Sequence, residues 1–317
     1  MSLSRTWTFG GAGQVGSGTP WRTLGEITAQ ALAPLGHHVS IDGRVFGINN
    51  PRMIADGAVD FGGGFAQRVQ WAYAGIHDYA QDPPRGNLRI LAAIEFPSWL
   101  GVAVRWETGL THLAQIRERQ MPVRVRGGTD AASRLIWAHD GLSRQQIEGW
   151  GGRFPSPPAP RGYPQEGADR SVRGGDFDVI MDNVYAAYTP EAQHWLEASI
   201  LFNLRFLPLE PELIQTICTQ LGGTPGALPI RLLRGVTEAV PTVQRPPQVI
   251  YARADLPADF AYVVAEALDA HRGLFRLTHM PLSYDPHTVA QDTGVPLHPG
   301  AERYYRAMGY PIGTSRL

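Results

Sequence analysis

Apolar positions along the 317-residue chain fall into short runs of strand length and stretches with helical spacing, and the two alternate almost throughout. Thr6–Phe9 reads as a strand, and the glycine-rich GGAGQVGSGTP follows it. Residues 21–35 then carry a helical face at Leu24, Ile27, Ala31, Leu32 and Leu35. His38–Ile41 and Val59–Gly62 are predicted strands, Pro51–Ala55 and Ala66–Ala74 predicted helices, and Leu88–Glu95 a further strand. The alternation breaks once, at LRILAAIEFPSWLGVAVRW (88–106), where two apolar runs are separated only by Phe96-Pro97-Ser98. Three residues cannot carry a helical return to the same sheet, so the second run belongs to a different one. This stretch is predicted to take the chain from one α/β lobe into another.

Beyond it the alternation resumes. His112–Arg119 and Thr129–His139 read as helices flanking a Pro122–Arg126 strand and a Gly127-Gly128 turn. Residues 150–175 are dense in Pro and Gly and have no period, which predicts a long surface loop. Asp176–Met181 and Phe202–Leu207 are predicted strands; Pro190–Ile200, Glu210–Leu221, Pro257–His271 and Gly300–Met308 are predicted helices. Pro241–Pro247 is extended, and Gln248–Arg253 is the expected return strand. A chain of this length with 43% apolar residues exceeds what one core usually serves. The expected division is residues 1–97 plus 253–317 as one lobe and 98–252 as the other, with a ligand cleft between them.

Composition narrows the chemistry. Net charge is −1 with no block of like charges, which predicts no nucleic-acid partner. All 28 basic residues are Arg, so lysine Schiff-base chemistry is excluded. Cys218 is the only cysteine, so no internal disulfide or thiolate zinc site can form within the chain, and its spacing from Leu213, Ile214 and Ile217 predicts a buried position. No apolar run reaches the ~20 residues of a membrane helix. MSLSRTWTFGG carries no basic-plus-apolar leader, which leaves a cytoplasmic protein or one whose leader lies outside this sequence. The ten His show no metal-binding helical spacing, and no GxSxG elbow is present. No enzyme activity, metal or cofactor is expected.

Three stretches carry candidate binding chemistry. Gly11-Ala12-Gly13-Gln14-Val15-Gly16 matches the dinucleotide fingerprint, but Gly16, Ser17, Gly18 and Pro20 occupy what would be the first helical turns. A helix starting near Pro20 instead makes a loop in which Gln14, Ser17, Thr19 and Trp21 can face a ligand; a simple chain reversal and a dinucleotide oxidoreductase are the alternatives. Arg126-Gly127-Gly128-Thr129-Asp130 repeats the arrangement of strand, glycine turn and capped helix start in the second lobe. Asp182-Asn183-Val184-Tyr185 follows the predicted 176–181 strand, which places Asn183 and Tyr185 at the carboxyl edge of a sheet. Asn50, Gln67 and Phe96 complete the candidate ligand-binding set.

Val240–Leu268 (VPTVQRPPQVIYARADLPADFAYVVAEAL) and Val295–Pro311 (VPLHPGAERYYRAMGYP) resemble the C-terminal third of TAXI-type solute-binding proteins, receptors of tripartite ATP-independent periplasmic (TRAP) transporters. The resemblance is collinear upstream, through Asn50–Asp60, Gly128-Thr129, Gly175–Asp178 and Leu204–Ile214. It implies a type II periplasmic-binding-protein-like fold, two α/β lobes with a hinge that close on a small organic acid or amino acid such as glutamate or 2-oxoglutarate. It implies a monomeric periplasmic protein that passes its ligand to TRAP-type permease subunits. A cytoplasmic sensor or enzyme on the same fold is the alternative. The chain departs from the family at Pro20-Trp21, where a tyrosine pair is usual, at Asp130, where Arg is frequent, and in the longer 150–175 segment.

Overall fold

A computed structural model describes residues 6–11, 19–45, 47–154, 172–186, 193–278 and 280–313. The chain forms two α/β units, Met1–Phe96 with Pro246–Leu317, and Pro97–Arg245.

Unit 1 is built on a five-stranded sheet of order β2-β1-β3-β11-β4. Its strands are β1 (Thr6–Gly10), β2 (His38–Asp42), β3 (Phe61–Phe65), β4 (Leu88–Ile94) and β11 (Gln248–Arg253). β1 pairs in parallel with β2 and β3, and β11 runs antiparallel to both β3 and β4, so β1 to β4 share one direction. The helices are α1 (Pro20–Leu32), α2 (Asn49–Ala55), α3 (Ala66–Ala74), α9 (Ala258–Ala270) and α10 (Pro299–Ala307). Successive glycines of β3 show which helix covers which face. A Cβ on Gly62 would strike Ile54 of α2, whereas one on Gly63 would meet Phe9 and Leu24 of α1. Because neighbouring strand positions point to opposite faces, α1 and α2 lie on opposite sides of the sheet. Both faces are therefore apolar: Phe9, Phe61, Leu24, Ile54, Ile250 and Val264 are buried, and the Trp7 ring stacks on Phe260 at 3.5 Å.

The sheet of unit 2 has the order β6-β7-β5-β10-β9, with β8 also paired to β5. Its strands are β5 (Ser98–Arg105), β6 (Val125–Gly127), β7 (Val179–Tyr185), β8 (Leu204–Phe206), β9 (Thr224–Leu228) and β10 (Val240–Gln244). Helices α4 (Ala114–Glu118), α5 (Ala131–His139), α6 (Arg144–Gly149), α7 (Gln193–Leu201) and α8 (Pro211–Leu221) cover it. The central strand β5 explains why 98–105 is continuously apolar. Leu100, Val102 and Val104 enter one core with Ile136, Trp137, Leu213 and Ile217, while Trp99 and Ala103 enter another with Val184, Trp195 and Phe206. Cys218 packs half-buried at the edge of the first core, and burial pushes its thiol up.

The predicted passage between sheets is present: β4 ends at Ile94 in one sheet and β5 starts at Ser98 in the other. Several boundaries differ from the sequence reading. The return to unit 1 falls at Pro246, not at 253, because β11 pairs with β3 and β4 along its length. β3 starts at Phe61 and runs through Gly62, Gly63 and Gly64. Three glycines weaken a strand in isolation, but here β11 pairs with all three and β1 with Gly62. β7 runs to Tyr185, well past Met181, and β6 is only Val125–Gly127. The sequence reading missed β9 because Pro225-Gly226 looks like a turn; β9 lies at the sheet edge, where a proline lacking its N–H is tolerated.

Candidate functional site

The carboxyl ends of β1 to β4 share one edge of the unit 1 sheet, and antiparallel β11 begins there at Gln248. Open α/β sheets bind ligands at this edge. Three helices start from it. α1 opens at Pro20, with the buried Thr19 hydroxyl accepting from Arg22 N at 3.2 Å; α2 opens at Asn49 and α3 at Ala66. Between them is a pocket lined by Trp21, Asn50, Gly64, Phe65, Arg68 and Tyr251, with room for about one water (about 10 Å³).

The walls of this pocket are fixed. Trp21 packs edge-on against Phe65 at 5.5 Å, and its buried Nε1 donates to Gln248 Oε1 at 2.8 Å. Asn50 Nδ2 donates to Gly63 O at 2.6 Å, which sets the orientation of the amide. Three buried polar atoms of pocket-lining residues have no hydrogen-bond partner: Asn50 Oδ1, Arg68 Nε and the Tyr251 hydroxyl. Next to the pocket, Gln248 Nε2 is likewise unpartnered. An unpaired buried polar group costs about 1–3 kcal/mol, so a cluster of them marks a place prepared for something polar. Burial raises the Tyr251 phenol well above its ordinary value, with Tyr79 adding to the rise and Arg68 opposing it. The hydroxyl is thus neutral and can donate.

Of the residues predicted in unit 1, Trp21 and Asn50 meet in this pocket. Thr19 caps α1. Gln67 is half-buried and its Nε2 donates to Gln70 Oε1 at 3.1 Å, and Phe96 is buried at the end of the unit. Gln14 and Ser17 lie outside the described residues, as does most of the fingerprint-like glycine loop. Arg68, Gln248 and Tyr251 were not anticipated. Gln248 and Tyr251 sit in an apolar strand that reads as pure core, and Arg68 has no motif. The only signal was the Gly62–Gly64 run, which in a strand marks close approach of other groups.

In unit 2 the predicted residues gather at the carboxyl ends of β6 and β7. Gly127 and Gly128 both adopt left-handed backbone, with φ of 75° and 73°. That turn lets Gly128 N donate to Met181 O at 2.9 Å while Gly128 O accepts from the buried Trp137 Nε1 at 2.9 Å. Asp130, not Thr129, caps α5, accepting from Ser133 N at 2.7 Å. Thr129 is exposed, and its carbonyl accepts from Arg134 Nη1 at 3.0 Å. Arg126 is half-buried on β6. Arg124, two residues before it, is held by a carboxylate: its Nε and Nη2 donate to Asp178 at 2.9 and 2.6 Å. Asn183 and Tyr185 lie within β7 and do not follow it, opposite Leu100 and Ser98 of β5. Asn183 Oδ1 is buried without a partner. Among the described residues no group of three or more His, Cys, Asp or Glu could hold a metal, and no helix is long and apolar enough to cross a membrane.

The model of the NMT1-like family matches residues 180–309. Among solved structures, a TctC solute binding protein from Polaromonas is 13% identical over 98% of this chain and 99% of its own, with a TM-score of 0.52. The periplasmic aliphatic sulphonate binding protein SsuA from Escherichia coli is 13% identical over 99% of this chain and 81% of its own, with a TM-score of 0.43. A glycine/betaine/L-proline-binding protein (ProX) from Borrelia burgdorferi is 11% identical over 87% and 97%, with a TM-score of 0.41. The chain has the two-unit α/β fold of the Polaromonas solute-binding protein.

Proposed function

We propose that this chain is an extracytoplasmic receptor that captures a small organic acid or amino acid of glutamate or 2-oxoglutarate type and delivers it to a TRAP-type membrane permease. The observation that carries this reading is the set of buried polar atoms without a hydrogen-bond partner, Asn50 Oδ1, Arg68 Nε and the Tyr251 hydroxyl, on residues that line one pocket at the edge of the unit 1 sheet where β1 to β4 end. An amide, a guanidinium, an indole and a neutral phenol are binding groups; no nucleophile with an adjacent base stands among them. Within unit 2, Arg126 and the exposed Thr129, at the turn between β6 and α5, are proposed as ligand-binding groups of that unit. The TAXI-like segments 240–268 and 295–311 support the transporter class.

The test is a thermal-shift screen of organic acids, amino acids, sulfonates, betaines and nicotinamide dinucleotides, followed by calorimetry. Saturable binding of an organic acid or amino acid with a Kd on the order of micromolar is expected, since three or four charge-assisted hydrogen bonds suffice for it. Binding of a dinucleotide alone, or of no acid, refutes the reading. Fractionation of cells expressing the gene from its natural start is expected to place the protein outside the cytoplasmic membrane.

A further inference from the structure

We infer that unit 2 carries a docking surface for a protein segment that sets an acidic side chain beside an apolar one, at the edge of its sheet opposite the Gly127–Thr129 turn. That turn follows β6, which runs parallel to β7. β5 is antiparallel to β7 and ends at Arg105, one residue past the pairing of Val104 with Val179 at the start of β7. The Trp106–Thr108 turn therefore emerges at the other edge. An open groove of about 290 Å³ lies there, lined by Trp106, Phe202, Asn203, Leu204, Arg234 and Gly235. Its wall is tied together by hydrogen bonds. Trp106 N donates to Asn203 O at 2.8 Å, while Arg234 donates through Nη2 to Asn203 Oδ1 at 2.7 Å and through Nη1 to Ile200 O at 3.0 Å. Gly235, with φ of 99°, brings the loop carrying Arg234 down onto β8, where a Cβ would lie 3.0 Å from Leu204 O. The inference stands independently of the receptor reading above.

Apolar side chains at this edge face solvent. Trp106 is 57% exposed, and Ile200 and Leu201, the two residues before Phe202, are 65% and 51% exposed. Cations accompany them. The Arg205 guanidinium lies 4.1 Å from the centre of the Trp106 ring and donates to Leu110 O at 2.8 Å, and Arg234 likewise donates to neutral oxygens. Among the described residues no carboxylate pairs with either, whereas Arg105, over the Phe202 ring at 4.6 Å, has the Glu107 carboxylate 3.5 Å from its Nε. Two guanidinium charges thus stand beside exposed apolar groups without a counter-charge. Exposed apolar patches rimmed by polar groups mark interaction sites, and Trp and Arg are the residues in which interface energy concentrates. Small-molecule pockets enclose most of their ligand, but this groove is open, so it fits a side chain projecting from a larger partner. A carboxylate would pair with Arg234 and its apolar neighbour would cover Trp106. An anionic lipid surface calls for a larger basic cluster than two arginines.

Selection of a displayed library of random peptides against the full chain tests this. Enriched sequences are expected to share Asp or Glu adjacent to Leu, Phe or Trp. Synthetic copies of the enriched peptides, each beside its counterpart with Asn or Gln in place of the acids, are then titrated by fluorescence anisotropy. Loss of the acids, Trp106→Ala and Arg234→Gln are each expected to weaken binding about fivefold or more, and raising salt from about 50 to about 300 mM to weaken it further. Arg234→Gln also removes bonds to Ile200 O and Asn203 Oδ1, so a charge swap supplies the second readout. Arg234→Glu is expected to lose the acidic peptide and to bind its Lys-substituted form about fivefold or more tighter than wild type does. The surface is refuted if no peptide family is enriched, if Trp106→Ala and Arg234→Gln both stay within about twofold of wild type, or if Arg234→Glu shows no preference for the Lys form. Binding to phosphatidylglycerol vesicles that the enriched peptides fail to displace refutes it in favour of lipid.

Discussion

Replacing Gly127 by alanine tests whether the turn between β6 and α5 is held by backbone geometry. With φ at 75°, an alanine would sit in the left-handed region, at a cost of about 1–2 kcal/mol. Its Cβ would also lie 2.1 Å from Met181 O, a distance no real contact reaches. To relieve this, β6 must move away from β7, giving up the Gly128 N to Met181 O hydrogen bond, worth about 0.5–1.5 kcal/mol. The sum is roughly 1.5–3.5 kcal/mol, equivalent to a fall of roughly 3–14 °C in the melting of a unit this size. Gly109→Ala is the matched control in the same unit: its φ is 67°, but nothing lies within 4 Å of its Cβ, so only the conformational cost of about 1–2 kcal/mol applies. The assay is urea unfolding of the full chain, with hydrogen-exchange mass spectrometry reading peptides of residues 97–245 separately. If Gly127→Ala costs no more than Gly109→Ala, the close approach to Met181 carries no energy and the turn is not fixed as described.

Burial raises the Asp178 carboxyl, but hydrogen bonds from the Arg124 side chain and backbone N–H outweigh it and hold the group below the usual carboxylate range. The unfolded state then binds the proton more readily, so this contribution is complete above the unfolded carboxylate value and is lost as pH falls through the folded one. Asp178→Asn should flatten the acid limb of a stability–pH curve. Burial lowers the pKa of His298, whose Nδ1 accepts from Gly300 N at 3.2 Å, so the folded chain keeps it neutral. Its contribution is complete above the unfolded imidazole value of ~6.5 and declines below it; His298→Asn, which keeps a capping acceptor, should reduce the loss of stability between about pH 7 and 5. Trp21→Phe leaves Gln248 Oε1 without its 2.8 Å donor and should cost about 1–3 kcal/mol in urea unfolding, with a drop in solute affinity measured by calorimetry.

The alternation of strand and helix was legible because it is a local property of side-chain spacing, and so was the passage at 88–106, where a three-residue link between two apolar runs admits no return to the same sheet. The start of α1 at Pro20 was legible from the same kind of rule, since Pro presets the first turn and Thr19 can cap it. Other features depended on partners distant in the chain. β3 is a strand despite Gly62–Gly64 because β1 and β11 flank it, and β7 extends through Asn183 to Tyr185 because β5 pairs with it that far. Nothing local shows that Arg124 is held by Asp178, fifty-four residues away.

The candidate site shows the same division. Trp21 stood out beside a predicted helix start and Asn50 through the family resemblance, but that Arg68, from the first turn of α3, and Tyr251, from an apolar strand, join Asn50 around a pocket could not be read from any local pattern. Whether a buried polar atom has a partner depends on which residues the fold brings within about 3 Å of it. Periodicity determines only which way a side chain faces, whereas hydrogen bonding across a sheet edge is set by pairings between residues up to 227 positions apart, as between Trp21 and Gln248.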